Sequence, residues 1–138
     1  MNDKTTSRNY MMNPDEQPPF ADFMGMKITH VSPERVTGEL LVTDQLTNRN
    51  GVLHGGALMA FADNLGGTAA TANVPLGRGS TTTIESKTNF IGGAKEGTTV
   101  IATATPVHRG RRTQVWQTRL ETEDGKLVAV VTQTQMVL

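Results

Sequence analysis

The sequence predicts an α+β domain in which a curved antiparallel sheet wraps around one long central helix. Two observations carry this prediction. In six runs rich in Val, Ile and Thr, apolar and polar residues alternate with a period of two, and turn residues bound the runs. In one long segment the apolar residues instead recur at helical spacing. The chain has 138 residues, of which 36% are hydrophobic and 4% aromatic, so one core must be built from small and β-branched side chains.

The predicted strands lie on both sides of the helical segment. A helical turn is expected over residues 20–24, followed by one strand around Ile28, which Pro33 ends, and another around Leu40. Four strands follow the helix, over residues 80–91, 98–108, 112–122 and 127–137. Glycine-containing turns separate these four, and Asp124-Gly125 is a strong hairpin signal. The C-terminal half is therefore predicted to be an antiparallel meander.

Residues 55–73 form the predicted helix. Its apolar face carries Leu58, Phe61, Ala62, Leu65, Ala69 and Ala72. The opposite face carries small residues and one carboxylate, namely Ala60, Asp63, Gly67, Ala70 and Thr71. A surface helix would present several charges to solvent. We therefore expect this helix to be buried, with another backbone close to Gly67 and Ala70.

Residues 1–19 are predicted to be a loose arm, and residues 20–138 the folded domain. The arm is polar and is interrupted by three prolines, and the sequence contains no apolar run typical of a signal peptide or a membrane span. A cytoplasmic location is expected. Thirteen Lys and Arg balance thirteen Asp and Glu, which disfavours nucleic acid or membrane partners. A net charge of zero gives little protection against association, so we expect a homo-oligomer.

The residue types also exclude several chemistries. Cysteine is absent, which excludes disulfides, thiolate metal sites and cysteine nucleophiles. His30 and His108 have no partner at the spacing of a metal site. No metal and no cofactor is expected.

The segment from Asn48 to Gly56 leads into the helix and offers a site for an oxyanion. Gly55 and Gly56 leave backbone N–H groups open to a ligand, and the helix dipole adds partial positive charge there. This suits the carbonyl oxygen of an ester or thioester under attack. The alternative is a loop in which the glycines only permit tight packing. His54 is either a general base or, as we favour, a residue that orients the loop through a hydrogen bond.

Asp63 is the second chemically informative residue. A carboxylate on a small, apolar helix face loses hydration and needs either a partner or a function. The alternative is a structural hydrogen bond to the backbone or to a threonine. Asp63 lies eight residues from Gly55, or about 12 Å along a helix, whereas groups that act on one carbon must lie within about 3.5 Å of it. If both residues are catalytic, a second subunit with an antiparallel helix must supply Asp63.

Two further features have a functional and a structural interpretation. Arg109, Arg111 and Arg112 surround one turn and could clamp a phosphate-bearing tail, although a solvated turn is the simpler reading. Trp116 is interpreted as core or interface packing.

Residues 20–138 resemble the hotdog-fold acyl-CoA thioesterases, in the branch of the phenylacetic acid degradation thioesterase. The resemblance rests on Asn48-x-x-Gly51-x-x-His54-Gly55-Gly56 with Asp63 nine residues after the histidine. Residues 106–117 further resemble the bacterial aryl-CoA group.

The resemblance implies hydrolysis of an aryl- or medium-chain acyl-CoA by a homotetramer, a dimer of dimers, without metal or cofactor. Gly55 would donate its N–H to the thioester carbonyl, and Asn48 would bind that carbonyl or the water. Asp63 of the other subunit would be the nucleophile or the general base. His54 would support the loop, and the arginine turn would hold the CoA nucleotide.

This sequence departs from the aryl-CoA group at three places. Asp63 stands where that group commonly has Glu, and Gly67 stands where it often has a hydroxyl residue, so Thr83 is expected to supply the hydroxyl that holds water. Phe90 and Gly92 replace a His and an Arg of the naphthoyl-CoA type, so a different acyl group is expected. The alternative functions are a non-catalytic acyl-CoA binder and a hotdog hydratase or dehydratase.

Overall fold

The computed structural model describes residues 16–74 and 79–138, and it confirms the α+β prediction. The elements in chain order are α1 (Pro19–Met24), β1 (Lys27–Ser32), β2 (Arg35–Leu41), a 3₁₀ turn (Asp44–Leu46), α2 (Gly55–Ala72), β3 (Thr81–Phe90), β4 (Thr99–Arg109), β5 (Thr113–Thr122) and β6 (Leu127–Val137). The predicted arm lies outside the described residues as far as residue 15. Among the helices of the described ranges, none is long and apolar enough to span a bilayer.

The six strands form one antiparallel sheet in the order β1-β2-β4-β5-β6-β3. The predicted meander is therefore wrong for β3, which pairs with β6 and not with β4. The chain does not turn back to form a hairpin at Gly92-Gly93. It stays beside β6 instead, where the backbone N–H groups of Ile91 and Gly92 donate to Val128 O (2.9 and 3.0 Å). It then crosses to the loop before α2, where Leu53 N donates to Ala94 O (2.8 Å). As a result β3 is an edge strand of the sheet.

The core lies between α2 and the concave face of the sheet. Side chains that are entirely buried at this interface include Phe61, Leu65, Leu40, Trp116 and Leu120. Trp116 is thus a core residue, as expected. Its Nε1 donates to Gln114 Oε1 (2.8 Å), and Gln114 Nε2 donates to the Ala70 carbonyl oxygen (3.3 Å), which ties β5 to the helix.

The outward face of α2 is open along this chain, so the expected burial of the helix is not completed within one subunit. A Cβ on Gly67 would meet nothing within 4 Å, whereas a Cβ on Gly66 would meet the Gln133 side chain at 2.3 Å. The close approach is therefore at Gly66 and involves a side chain of β6. Ala70 is entirely buried because it faces the sheet, and Gly67 points away from it.

Candidate active site

The loop before α2 is held by hydrogen bonds among its own residues. Asn48 Oδ1 accepts from the backbone N–H groups of Asn50 (2.9 Å) and Val52 (3.4 Å), and Asn48 N donates to Val52 O (2.8 Å). Gly51 takes a φ of 74°, which glycine adopts readily. The side-chain oxygen of Asn48 is thus committed to the turn, while its Nδ2 makes no hydrogen bond within residues 16–74 and 79–138.

His54 caps the start of α2. Its Nδ1 accepts a hydrogen bond from Gly56 N (2.8 Å), and its own N–H donates to Leu46 O (2.8 Å). An Nδ1 that accepts carries no proton, so a neutral ring carries its proton on Nε2. This contact satisfies one of the free N–H groups at the helix start. It matches the loop-orienting interpretation of His54 and leaves its Nδ1 occupied.

The Gly55 amide is one of the free donors at the helix start. In the part of the chain that the structure describes, its N–H donates to no acceptor. The Phe90 ring, at the end of β3, lies over Gly55, because a Cβ built there would be 3.1 Å from Phe90 Cε1. The Phe90 side chain is 58% exposed. A donor, the positive end of a helix dipole and an exposed aromatic ring therefore meet at one point.

Asp63 lies two turns further along α2 and is exposed in this chain, so the expected loss of hydration does not occur within one subunit. Its Oδ1 accepts from Thr83 Oγ1 (2.9 Å) and from Gln133 Nε2 (3.3 Å). It borders an open groove of about 460 Å³ between α2 and β3. It also borders an apolar cavity of about 210 Å³ beneath α1.

The structure divides the predicted site residues into three groups. Asn48, His54, Gly55, Gly56 and Phe90 lie together at the start of α2. Asp63 and Thr83 form a second group in the groove.

The arginine turn is the third group and lies at the opposite end of the helix. Arg109 Nη1 donates to Pro33 O (3.1 Å), and Nδ2 of Asn73, the residue that follows α2, donates to the same oxygen (3.0 Å). Arg111 and Arg112 are exposed, and neither side chain has a partner among the described residues. Eighteen helical residues, about 27 Å, separate this turn from Gly55.

Two residues that contact this site were not among those predicted from the sequence. Gln133 and Gln135 lie on β6, are buried, and reach Asp63 and Thr83. The available signal was strand parity, because both share the inward face with Val131. No group of three or more potential metal ligands occurs within the described ranges.

Comparison with known proteins identifies the family. The family model described as "Thioesterase superfamily" matches residues 50–129. The chain belongs to the thioesterase superfamily. A Mycobacterium tuberculosis protein that carries a provisional esterase name is 32% identical over 113 residues, covering 80% of each chain. The 1,4-dihydroxy-2-naphthoyl-CoA hydrolase of Escherichia coli is 29% identical over 105 residues, covering 76% of each chain.

A solved structure confirms the fold assignment. The E. coli PaaI protein from the phenylacetic acid degradation operon superposes with a TM-score of 0.84, at 22% identity, over 98% of this chain and 94% of its own. The resemblance to hotdog-fold thioesterases and the prediction of a thioester hydrolase are thereby confirmed.

Proposed function

We propose that this protein hydrolyses an aryl- or medium-chain acyl-CoA at sites shared between two subunits. The observation that carries the proposal is the separation of Gly55 from Asp63. The free amide and the carboxylate are the two groups that thioester hydrolysis needs, yet eight helical residues, about 12 Å, lie between them. A two-fold axis that sets two α2 helices antiparallel brings Asp63 of one subunit to Gly55 of the partner subunit.

Two surfaces support such a dimer. β3 is an edge strand of ten residues, and a long unpaired edge is normally covered or paired. The outward face of α2 carries the small residues Gly56, Ala60 and Gly67 around Asp63, so another chain can approach closely. If Asp63 of each subunit lies against Gly55 of the other, the two-fold axis of the dimer passes close to Met59, which is midway between residues 55 and 63 of α2.

The chemistry then follows from the two groups. The Gly55 N–H and the helix dipole polarise the thioester carbonyl as negative charge develops on its oxygen. Either Asp63 attacks the carbonyl carbon, with later hydrolysis of the anhydride by water, or Asp63 takes a proton from a water that attacks. In both routes the C–S bond breaks and CoA leaves as the thiolate, while water supplies the oxygen of the free acid. Asn48 Nδ2 is available to bind the carbonyl or the water.

The acyl group and the CoA tail have separate places in this proposal. The apolar cavity beside Asp63 is lined by Phe20, Met26 and Ala60 and suits an aryl or medium-length acyl group. Asp63 lies about 14 Å along α2 from the helix end where the arginine turn sits. The arginine turn of the subunit that supplies Asp63 is therefore the one suited to the phosphates of CoA, through Arg111 and Arg112. Assembly into a dimer of dimers remains part of the proposal.

The first experiment is thiol release from a panel of aryl- and fatty-acyl-CoAs, with the Asp63→Asn variant alongside. The variant keeps the size of the side chain and removes its charge, so turnover is expected to fall at least about a hundredfold, as for other groups that act in the transition state. Thiol release that persists in Asp63→Asn would overturn the role of the carboxylate. Binding of acyl-CoA without thiol release would favour the non-catalytic binder.

A second pair of variants tests the amide. Gly55→Pro removes the N–H, and His54 already has the backbone conformation preferred before proline (φ −64°, ψ 136°). Gly55→Ala is the matched control, since it adds the same Cβ beneath Phe90 and keeps the N–H. Loss of one such donor costs about 2.7–4 kcal/mol of transition-state stabilisation, so only Gly55→Pro is expected to lose a hundredfold or more. Equal losses in both variants would contradict the oxyanion role.

A further inference from the structure

Asp63 is held by a short chain of hydrogen bonds from β3 and β6. Gln133 Nε2 donates directly to Asp63 Oδ1 (3.3 Å). Gln135 Nε2 donates to Thr83 Oγ1 (2.7 Å), and Thr83 Oγ1 donates to the same Asp63 Oδ1 (2.9 Å). No donor among the described residues reaches Asp63 Oδ2. The two carboxylate oxygens are therefore inequivalent.

The direction of each bond is fixed by chemistry. The Gln135 Nε2 can only donate, so Thr83 Oγ1 accepts there and its single hydrogen is directed to Asp63. Reversal of the Gln133 amide would set its Oε1 against a carboxylate oxygen, and two acceptors repel each other. Both donors thus converge on Oδ1.

This arrangement is costly for the fold, which indicates that it serves another purpose. Gln133 and Gln135 are buried at inward positions of β6, where apolar side chains would pack. The Oε1 of Gln133 is buried and has no hydrogen-bond partner. Gly66 also lacks the Cβ that would occupy the place of the Gln133 amide. Among the described residues, the hydrogen bond from its nitrogen to Asp63 is the one polar contact that the Gln133 amide makes.

We propose that Gln133 and Gln135 are positioning residues for the hydrolysis, Gln133 directly and Gln135 through Thr83. They hold Asp63 by Oδ1 and leave Oδ2 as the oxygen that attacks the acyl carbon or takes the proton from water. This inference rests on the proposed function, in which Asp63 is the reacting carboxylate. It also gives Thr83 a defined role, since its hydrogen is committed to Asp63 and only its remaining lone pair can accept a hydrogen bond from a water.

The test measures kcat and KM for thiol release in Gln133→Met and Thr83→Val, which remove the donors with little change of shape. Hydrogen bonds to charged groups correspond to about ten- to a hundredfold in rate, so kcat is expected to fall by that factor with KM nearly constant. Thr83→Ser keeps the hydroxyl and is expected to retain most of the rate. An unchanged kcat in Gln133→Met, or equal losses in Thr83→Ser and Thr83→Val, would overturn the proposal.

Gln135 is tested by a double-mutant cycle with Thr83. Gln135→Met is expected to lower kcat in the unmodified protein and to have no further effect in Thr83→Val, because it acts only through that hydroxyl. Additive losses would indicate a general structural role and contradict the inference.

The Asp63→Asn variant distinguishes the two levels of failure. If it is inactive while Gln133→Met is not impaired, only the positioning inference fails. If it is active, or if the unmodified protein releases no thiol, the proposed function fails and the inference fails with it.

Discussion

The Gln133 side chain fills the space beside Gly66, so the substitution Gly66→Ala is expected to destabilise the protein. The added Cβ would lie 2.3 Å from Gln133 Cδ and 2.4 Å from Gln133 Nε2 and Oε1. This is about 1 Å closer than van der Waals contact allows. Gln133 is entirely buried on β6, so its amide must shift, and its 3.3 Å bond to Asp63 is long enough to be lost by a small movement.

Three contributions set the magnitude. Overpacking of a core typically costs about 1–3 kcal/mol, and leaving the Gln133 amide without its acceptor costs about 1–3 kcal/mol more. The gain in helix propensity from Gly to Ala returns about 1 kcal/mol. The free energy of unfolding is therefore expected to fall by about 3 kcal/mol, measured by urea unfolding at a fixed protein concentration.

Measuring Gly66→Ala in the Gln133→Ala variant tests whether the clash with Gln133 is the cause of the destabilisation, or whether any side chain at position 66 destabilises the protein. In Gln133→Ala the obstructing amide is absent, so Gly66→Ala is expected to be neutral or to stabilise the protein by about 1 kcal/mol. The two sites should thus show a coupling energy of at least about 2 kcal/mol. The same cost of Gly66→Ala in both backgrounds would refute the steric reasoning.

Two further predictions concern the core and a surface turn. Trp116→Phe removes the donor to Gln114 Oε1 and leaves that oxygen buried and unsatisfied, so urea unfolding is expected to show a loss of about 1–3 kcal/mol; no loss would contradict the contact. The Thr122 hydroxyl, donating to Asp124, holds the pKa of that carboxyl below its ordinary value, so stability from this contact is present above the ordinary pKa and is lost as the pH falls through the lowered pKa. In Thr122→Val, NMR titration should find the Asp124 pKa raised toward its ordinary value, and an unchanged pKa would contradict the cause assigned to it.

The helices and strands of this fold could be predicted from the sequence, because each depends mainly on the pattern of neighbouring residues. Residues 129–137 alternate inward and outward as a strand, and the predicted helix begins at Gly55 as observed. The place of β3 in the sheet could not be obtained in this way. It depends on contacts such as Leu53 with Ala94, which join residues far apart in the sequence.

The candidate site was predictable as residue types but not as a network. Gly55 and Asp63 were identified from the glycine pair and from a carboxylate on a small helix face. The separation of the two followed from helix geometry alone. Gln133 and Gln135 went unnoticed because glutamine on a strand is ordinarily exposed, although their parity with Val131 places them on the inward face of β6.

The central claim is that each active site takes its amide from one subunit and its carboxylate from the other. The most direct measurement mixes inactive Gly55→Pro with inactive Asp63→Asn, after reversible dissociation, and records thiol release. Each mixed dimer has one site with both native groups, and half of the dimers in an equal mixture are mixed, so about a quarter of the native activity is expected. A mixture that stays as inactive as its two components, with mixed dimers demonstrated, would contradict the shared site.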